Sequence, residues 1–298
     1  MLHLSPGTQN KELGTITTYL RPESLAETLA LIGAEPDAAL IAGGTDLLVK
    51  IRKRARVAPE TIISLRRVGE LATIDHDGAT RIGASATLSA ITADNVIRER
   101  FPALIDSIAV VGSPQIRNVA TLAGNLCNAS PAADTAPALL VYGARVELRT
   151  FHGEREMPLD EFILGPGKTA LEPGEIMTAV LLDPPVAGLR AAFRRKGRVR
   201  MDLAIASVAV ALELNEGLCT GVKLAAGAVA PVPLRLKSAE EQLEGKPPEA
   251  EVIEAACRAA MEEVAPIDDL RSSAWYRREL TGVLLKEAIE QSLKQGGS

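Results

Sequence analysis

Residues 121–134 read TLAGNLCNASPAAD, a stretch of small and polar residues between two segments with apolar helical spacing. A second small-residue stretch, AGGTD at 42–46, follows the apolar run 38–41 and enters another helical pattern. Small residues leave backbone N–H groups open to a ligand, and a helix N-terminus adds partial positive charge. The two stretches therefore predict a pair of loops that together hold a cofactor with a pyrophosphate bridge.

Each stretch is less specific alone than the pair. AGGTD lacks the spacing of the dinucleotide fingerprint GxGxxG, and no Gly-Lys-Ser/Thr of a P-loop follows it. An ordinary strand-to-helix turn, with Thr45 or Asp46 as the helix cap, explains AGGTD alone more simply. Asp134 also precedes a helical pattern, so we expect it to cap that helix. Its carboxylate could equally accept a hydrogen bond from a ribose or ribityl hydroxyl.

The composition argues against nucleic acid as a partner. The chain has 298 residues, of which 47% are hydrophobic and 24% charged, as in soluble globular proteins. Aromatic residues make up only 3%, too few for a platform that stacks bases. The net charge is -5, which disfavours binding of a polyanion by the whole surface. We interpret the basic cluster Lys50–Arg56 as a solvated helix face rather than a nucleic-acid-binding arm.

The cysteines and the hydropathy pattern disfavour metal-binding and membrane-spanning roles. Cys127, Cys219 and Cys257 are far apart and form no CxxC pair, so neither zinc nor an iron–sulfur cluster is expected on this chain. Such a sparse, odd number of cysteines suits a reducing compartment. No apolar run approaches the ~18 residues of a membrane span, and no secretory signal is recognised. We therefore expect a soluble cytoplasmic protein.

The pattern of strands and helices predicts an α+β protein with two domains. Strand, helix and strand within 38–65 predict a small βαβ unit with a parallel sheet. The proline- and glycine-containing segment Asp183–Gly188 is the best linker in the chain. Residues 1–14 are expected to be a polar lead-in. The predicted domains span 12–185 and 189–294.

Three strand patterns and then three helix patterns predict an antiparallel sheet covered by helices in the second domain. The strands are predicted at Arg190–Lys196, Ile205–Leu214 and Val222–Val229, and the helices at Leu234–Leu243, Glu249–Val264 and Ala274–Leu293. In the first domain, a helical pattern over Ala93–Val111 is interrupted around Phe101 and Pro102. The segment Glu161–Gly167 is predicted to be a loop.

Four motifs together resemble a known family, the flavoprotein subunits of molybdenum hydroxylases such as xanthine dehydrogenase and carbon monoxide dehydrogenase. Its second FAD-binding stretch closely resembles SPQIRNVATLAGNLCNASPAADTAPALL at 113–140, and its first FAD loop is similar to LIAGGTDLLV at 40–49. Marks of its C-terminal domain resemble GAVAPVPLR at 227–235 and DDLRSSAWYRREL at 268–280. The resemblance runs from about Tyr19 to Leu293. It implies a two-subdomain FAD-binding fold of the vanillyl-alcohol oxidase type, with subdomains at about 12–70 and 71–185, followed by a three-stranded antiparallel sheet with helices.

The resemblance also implies which residues hold FAD. The first loop would wrap the pyrophosphate with Ile41, Ala42, Gly43, Gly44, Thr45, Asp46 and Leu47. The second stretch would contribute Thr121, Ala123, Gly124, Asn125 and, for a polar group of the cofactor, Asp134. A basic residue near the isoalloxazine ring is also implied, for which we choose Arg194 and Lys196 in FRRKGR. The family usually has two glycines where this chain has Ala123 and Gly124, so a methyl group is added at that wall.

The implied function is electron transfer within a complex. In the family, a large molybdopterin subunit oxidises the substrate, and a small subunit with two iron–sulfur clusters passes the electrons to FAD. FAD then reduces NAD or another acceptor. We therefore predict an FAD-binding oxidoreductase subunit in a dimer of heterotrimers, with no metal on this chain. The three histidines, His3, His76 and His152, are scattered, and no catalytic side chain is identified.

Two other functions stay open at this stage. A stand-alone FAD-dependent reductase or oxidase on the same fold would turn over NAD(P)H and its own substrate without partner chains. A non-catalytic scaffold would keep the fold without the flavin, and Ala123 is the only sequence feature in its favour. Co-purification with molybdenum and iron distinguishes the predicted subunit from the first alternative, and a flavin titration tests the second.

Overall fold

The fold begins with a small parallel sheet. The computed structural model describes residues 15–199 and 201–295, so the predicted lead-in at 1–14 lies outside the described residues. The first elements are β1 (Thr18–Leu20), α1 (Leu25–Ala34), β2 (Ala39–Ile41), α2 (Leu47–Arg52) and β3 (Thr61–Ser64). The strand order is β1-β3-β2, with both pairs parallel. The predicted βαβ unit is therefore confirmed, and α1 begins where the Ser24 hydroxyl accepts a hydrogen bond from Glu27 N.

An antiparallel sheet follows the parallel one. The strands in this part of the chain are β4 (Ile74–Asp75), β5 (Thr80–Gly83), β6 (Arg145–Arg149), β7 (Glu154–Pro158), β8 (Ile163–Gly165), β9 (Lys168–Thr169) and β10 (Ile176–Leu182). Five of them form a sheet with the order β4-β5-β10-β6-β7, while β8 and β9 pair with each other. Every residue of β10 is buried, because this strand lies in the middle of the sheet.

Seven short helices accompany the strands of this second sheet along the chain, six between β5 and β6 and one between β7 and β8. They are α3 (Leu88–Ala93), α4 (Asn95–Arg100), α5 (Pro102–Ala109), α6 (Pro114–Arg117), α7 (Leu122–Cys127), α8 (Thr135–Val141) and α9 (Leu159–Phe162). The predicted interruption at Phe101 and Pro102 is confirmed, since proline suits the first position of the new helix. The predicted loop Glu161–Gly167 is wrong, because α9 and β8 bury Phe162 and Ile163 in the core there.

The C-terminal part of the chain, residues 190–295, forms a second antiparallel sheet backed by helices. Its elements are β11 (Arg190–Lys196), β12 (Ala206–Asn215), β13 (Leu218–Gly227), β14 (Leu234–Arg235), α10 (Lys237–Leu243), α11 (Ala250–Glu263) and α12 (Ala274–Lys294). The strand order is β11-β12-β13-β14, so the expected three-stranded sheet has a short fourth strand. The α+β fold class is confirmed.

The fourth strand replaces the start of a predicted helix. Residues 234–243 were expected to be helical, but Leu234 and Arg235 pair with β13, and Leu236 N donates to Leu224 O at 2.8 Å. The preceding prolines, Pro231 and Pro233, favour extended backbone in this segment. The helix therefore begins only at Lys237.

The C-terminal part packs closely on the N-terminal part, residues 15–182. A Cβ added to Gly227 would lie 2.7 Å from Ser207 Oγ and 2.9 Å from Pro137 Cγ, so only glycine allows β13 to approach α8 this closely. The next residue, Ala228, donates its N–H to Pro131 O at 2.7 Å. The end of β13 is thereby fixed against the stretch 121–134.

A single buried arginine organises this junction from the C-terminal side. Arg277 in α12 is 2% exposed, and its guanidinium donates to Ile205 O at 2.7 Å and to Ala228 O at 2.9 Å. It also pairs with Asp269 at 2.7 Å. Burial opposes ionisation of the Asp269 carboxyl, but hydrogen bonds from Arg271 and then from Arg277 hold its pKa well below the usual range. Arg277 thus ties α12 to the segment that contacts Pro131.

We expect Arg277→Met to lower the free energy of unfolding by about 3 kcal/mol, because it leaves two buried carbonyls and the Asp269 carboxylate without this donor. Urea denaturation of the full chain measures the change. Arg278→Met is the control, since Arg278 makes no ion pair among the described residues and should change stability by less than about 0.5 kcal/mol. Equal losses in the two variants would contradict the role assigned to Arg277.

Candidate cofactor site

The two small-residue stretches lie against each other in the fold. A Cβ added to Gly43 would lie 2.1 Å from Val119 O and 2.8 Å from Ala120 Cα. These are backbone atoms that cannot move aside easily, so the contact requires glycine. The peptide they belong to directly precedes Thr121, and Ala120 O in turn accepts a hydrogen bond from Leu88 N at 2.8 Å. AGGTD and the stretch 121–134 therefore border the same surface.

The AGGTD loop offers unpaired backbone donors. Gly44 has a φ of +72°, which turns the chain from β2 into α2 in a conformation that glycine adopts without strain. The N–H groups from Gly43 to Leu47 donate to no oxygen among the described residues. Asp46 occupies the cap position of α2 but forms no side-chain cap, so the expected capping by this residue is wrong. Free N–H groups at a helix start are suited to an anion such as a pyrophosphate.

The second stretch is not a loop throughout, because its residues Leu122–Cys127 form the helix α7. Thr121 caps this helix, and its hydroxyl accepts a hydrogen bond from Gly124 N at 3.0 Å. Ala123 is only 4% exposed and packs in the hydrophobic core, whereas Gly124 is exposed. The extra methyl group of Ala123 therefore points into the core, and the open backbone is that of Gly124.

Hydrogen bonds hold the rest of the stretch in place. Asn125 Oδ1 accepts from Thr135 Oγ1 at 2.7 Å, which links α7 to α8 and leaves the Asn125 amide nitrogen as a donor. Asn128 Oδ1 accepts from the Lys50 ammonium, which ties the end of α7 to α2. Ala129 has a φ of +46°, and its carbonyl accepts from Gly167 N at 2.9 Å. The chain's own hydrogen bonds thus hold the stretch 121–134 against α2 and α8.

Asp134 forms an ion pair that the sequence did not predict. Its side chain caps no helix, so the expected capping role is wrong. Its Oδ1 instead accepts from Arg195 Nε at 3.0 Å, and both side chains are 7% exposed. Burial raises the pKa of Asp134 to about 6, and the charge and hydrogen bond of Arg195 oppose that shift. This ion pair connects the C-terminal part to the end of the stretch 121–134.

The chosen basic residues lie on either side of Arg195 in β11. Arg194 Nη1 donates to the carbonyl of its neighbour Phe193 at 3.2 Å, and Lys196 is exposed at the end of the strand. Successive side chains of a strand point to opposite faces, so Arg194 and Lys196 share a face that Arg195 does not. FRRKGR contains several basic residues, and which of them lies beside Asp134 depends on the register of β11 against β12. Sequence reasoning therefore missed Arg195.

Other chemistry finds little support at this site. Among residues 15–199 and 201–295, no group of three or more potential metal ligands comes together. Cys127 is half-buried, and burial raises the pKa of its thiol to about 12, which suits a structural thiol rather than a reactive thiolate. None of the described helices is both long and apolar enough to cross a membrane. What the geometry provides is a cradle of backbone donors with one buried carboxylate.

This cradle belongs to a known class of flavoprotein. Residues 12–184 match the family described as "FAD binding domain in molybdopterin dehydrogenase", and residues 191–292 match the "CO dehydrogenase flavoprotein C-terminal domain". The chain belongs to this family of FAD-binding proteins. The predicted family, the FAD cofactor and the oxidoreductase class are therefore confirmed.

Individual relatives agree with the family over nearly the whole chain. The xanthine dehydrogenase FAD-binding subunit of Escherichia coli O157:H7 is 33% identical, over 94% of this chain and 97% of its own. The carbon monoxide dehydrogenase medium chain of Afipia carboxidovorans is 32% identical, over 92% of this chain and 96% of its own. A solved chain of carbon monoxide dehydrogenase from Hydrogenophaga pseudoflava has a TM-score of 0.91 and 31% identity, covering 94% of this chain and 98% of that one.

We expect Gly43→Ala to weaken FAD binding by about tenfold or more, because the new methyl group would overlap Val119 O and push the two stretches apart. Quenching of flavin fluorescence on titration measures the affinity. The control is Gly33→Ala in α1, where a Cβ meets no atom within 4 Å. It should leave FAD affinity unchanged and raise stability by about 0.5 kcal/mol. The same affinity in both variants would argue against the cradle.

In the FAD-free chain, we expect Arg195→Met to cost about 3 kcal/mol of stability at pH 8 and clearly less at pH 5. Because burial raises the folded-state pKa of Asp134 above its unfolded value, its contribution favours folding at low pH and is lost as the pH rises through about 6. Because Arg195 opposes the rise in the pKa of Asp134, its removal makes the loss of stability with rising pH larger. Urea denaturation at both pH values measures it.

Two controls accompany this measurement. Lys196→Met on the opposite face of β11 should change stability by less than about 0.5 kcal/mol at either pH. Adding Asp134→Asn to Arg195→Met removes the titrating carboxyl, so the double variant should lose the extra pH dependence. If Arg195→Met lowers the free energy of unfolding equally at pH 5 and pH 8, the ionisation of Asp134 does not depend on Arg195.

Proposed function

We propose that this chain is the FAD-carrying subunit of a three-component molybdenum hydroxylase. It would receive electrons from iron–sulfur clusters on a small partner chain and deliver them to NAD or another acceptor. A large molybdopterin chain would oxidise the substrate, and the complex would be a cytoplasmic dimer of heterotrimers. The observation that carries the proposal is the contact of Gly43 with the Val119–Ala120 peptide, since it brings together the two stretches to which the proposal assigns FAD binding.

The proposal assigns roles to the residues of the cradle. The free N–H groups from Gly43 to Leu47, together with Ile41 and Ala42, would hold the pyrophosphate of FAD. Thr121, Ala123, Gly124 and Asn125 would form the facing wall, of which Ala123 would contribute backbone only. When bound, FAD supplies one- and two-electron redox chemistry that the amino acids lack. The chain's own contribution is to bind it, orient it and shield it from water.

Asp134 and the basic strand β11 would face the rest of the cofactor. The second oxygen of the Asp134 carboxylate remains available to accept a ribityl or ribose hydroxyl, while Arg195 holds the first. Arg194 and Lys196, on the other face of β11, would provide positive charge near the isoalloxazine ring. Negative charge that develops there on reduction would be stabilised by a nearby cation.

The proposed domains follow the same division. We assign residues 12–185 to FAD binding, with subdomains at about 12–70 and 71–185, and residues 189–294 to the C-terminal domain. No helix or strand lies between Leu182 and Arg190 in the described chain, which supports a boundary there. The parallel and antiparallel sheets of the N-terminal part would form the two subdomains, and the contact of Gly43 with Val119 and Ala120 would join them.

Purification of the tagged chain together with its partners from its source organism tests the function. We expect FAD, iron and molybdenum to co-elute, and substrate-dependent reduction of the flavin only in the full assembly. Spectra of the bound flavin and metal analysis of the same fractions provide the readout. An isolated chain that oxidises NAD(P)H and reduces its own organic substrate would favour a stand-alone flavoenzyme instead. A chain that binds no FAD after reconstitution would contradict the proposal.

A further inference from the structure

The helix that leaves the cofactor loop is unusually open. Four of the six residues of α2 are apolar, namely Leu47, Leu48, Val49 and Ile51, yet no residue of this helix is buried against the described part of the chain. Leu48 and Val49 are 47% and 46% exposed. A surface helix of a monomer normally buries its apolar side chains on one face. α2 thus has the apolar composition of a buried helix, but the described part of the chain does not bury it.

The same surface carries concentrated positive charge. Five of the seven residues 50–56 are Lys or Arg, in a chain whose net charge is -5. Lys50 is bonded to Asn128, but Arg52, Lys53, Arg54 and Arg56 are exposed and pair with no carboxylate among the described residues. Beyond them, Val57 is 52% exposed. An apolar centre with a cationic rim is the typical anatomy of one side of a protein–protein interface.

The backbone keeps this surface compact. Arg54 has a φ of +57°, a left-handed conformation that residues other than glycine rarely adopt. It closes the helix, because Ala55 N donates back to Lys50 O at 2.9 Å. The basic residues are therefore folded against the end of α2 and do not trail into solvent. Lys50 fixes the whole segment to the end of α7 through Asn128.

We propose that residues 47–57, the α2 surface, dock the iron–sulfur partner chain, which would present an apolar patch surrounded by Asp and Glu. This inference rests on the proposed function. The chain that delivers electrons must lie close to the flavin, and α2 begins at the loop whose N–H groups face the pyrophosphate. Opposite charge on the partner matches the unpaired cations and would speed its association. An acidic protein surface fits the location better than a nucleic acid, which has no reason to lie beside the cofactor loop.

The test uses the whole complex, purified through a tag on this chain, with iron, molybdenum and FAD measured per chain. We expect Val49→Glu and the double variant Arg52→Glu/Lys53→Glu each to lower iron by at least tenfold while FAD stays at the level of the unaltered chain. Two matched controls should retain iron within about twofold. They are Val283→Glu, at a valine 54% exposed on α12, and Arg98→Glu/Arg100→Glu, at exposed arginines in the last turn of α4.

The outcomes separate this inference from the function on which it rests. An unaltered chain that carries FAD but no iron would remove both. Iron retained in both α2 variants, with iron present in the unaltered complex, would overturn the docking surface and leave the function intact. Loss of molybdenum with iron retained would assign the surface to the large chain. Loss of FAD in Val49→Glu would mean that the cofactor itself covers α2. If the unaltered chain retains tRNA, and Arg52→Glu/Lys53→Glu loses the tRNA but keeps its iron, the surface is a nucleic-acid site.

Discussion

The approach of Gly43 to the Val119–Ala120 peptide is the contact on which the cofactor site depends. Gly43 follows a strand of the parallel sheet, whereas Val119 and Ala120 lie between two helices in the part of the chain that forms the antiparallel sheet, and the two sheets share no strand. A side chain on Gly43 would occupy the space now filled by Val119 O. The two sheets can therefore place their small-residue stretches on one surface only while this position lacks a Cβ. The free N–H groups that follow Gly43 and the start of α7, which follows Ala120, thus come from segments that meet at this contact.

Much of the site could be predicted because its signals are local. A glycine pair after a buried strand, and a run of small residues before an apolar helix, are both visible without knowing what they contact. Their resemblance to family motifs then joined them. The structure shows how they meet, through Gly43 and Ala120, which neither motif encodes alone. The burial of Ala123 could not be predicted either, because it depends on the helix α7, which Thr121 caps.

The sequence-based predictions that were wrong concern features that depend on tertiary contacts. Residues 234–236 contain helix-compatible side chains, but pairing with β13 satisfies their backbone groups in an extended form. Asp134 precedes a helix as a cap would, yet its carboxylate is taken by an arginine sixty-one positions away. FRRKGR offers several cations within one strand, and which one faces Asp134 is set by the register of β11 against β12. Local propensity is a weak guide wherever a distant partner offers a better bond.

The junction between the two parts of the chain combines buried charges with apolar packing. The main hydrophobic core crosses it through Phe193 and Ala209, and Ala132, Ala204 and Ala228 form a second, smaller apolar cluster there. Directed polar bonds cross it as well: Arg195 pairs with Asp134, and Ala228 N donates to Pro131 O, while Arg277 holds Ala228 from within the C-terminal part. Such bonds fix the orientation of the two parts rather than their mere association. Since Asp134 lies on this junction, the C-terminal part holds the carboxylate that we propose for a cofactor hydroxyl, and the proposed site is complete only when both parts are docked.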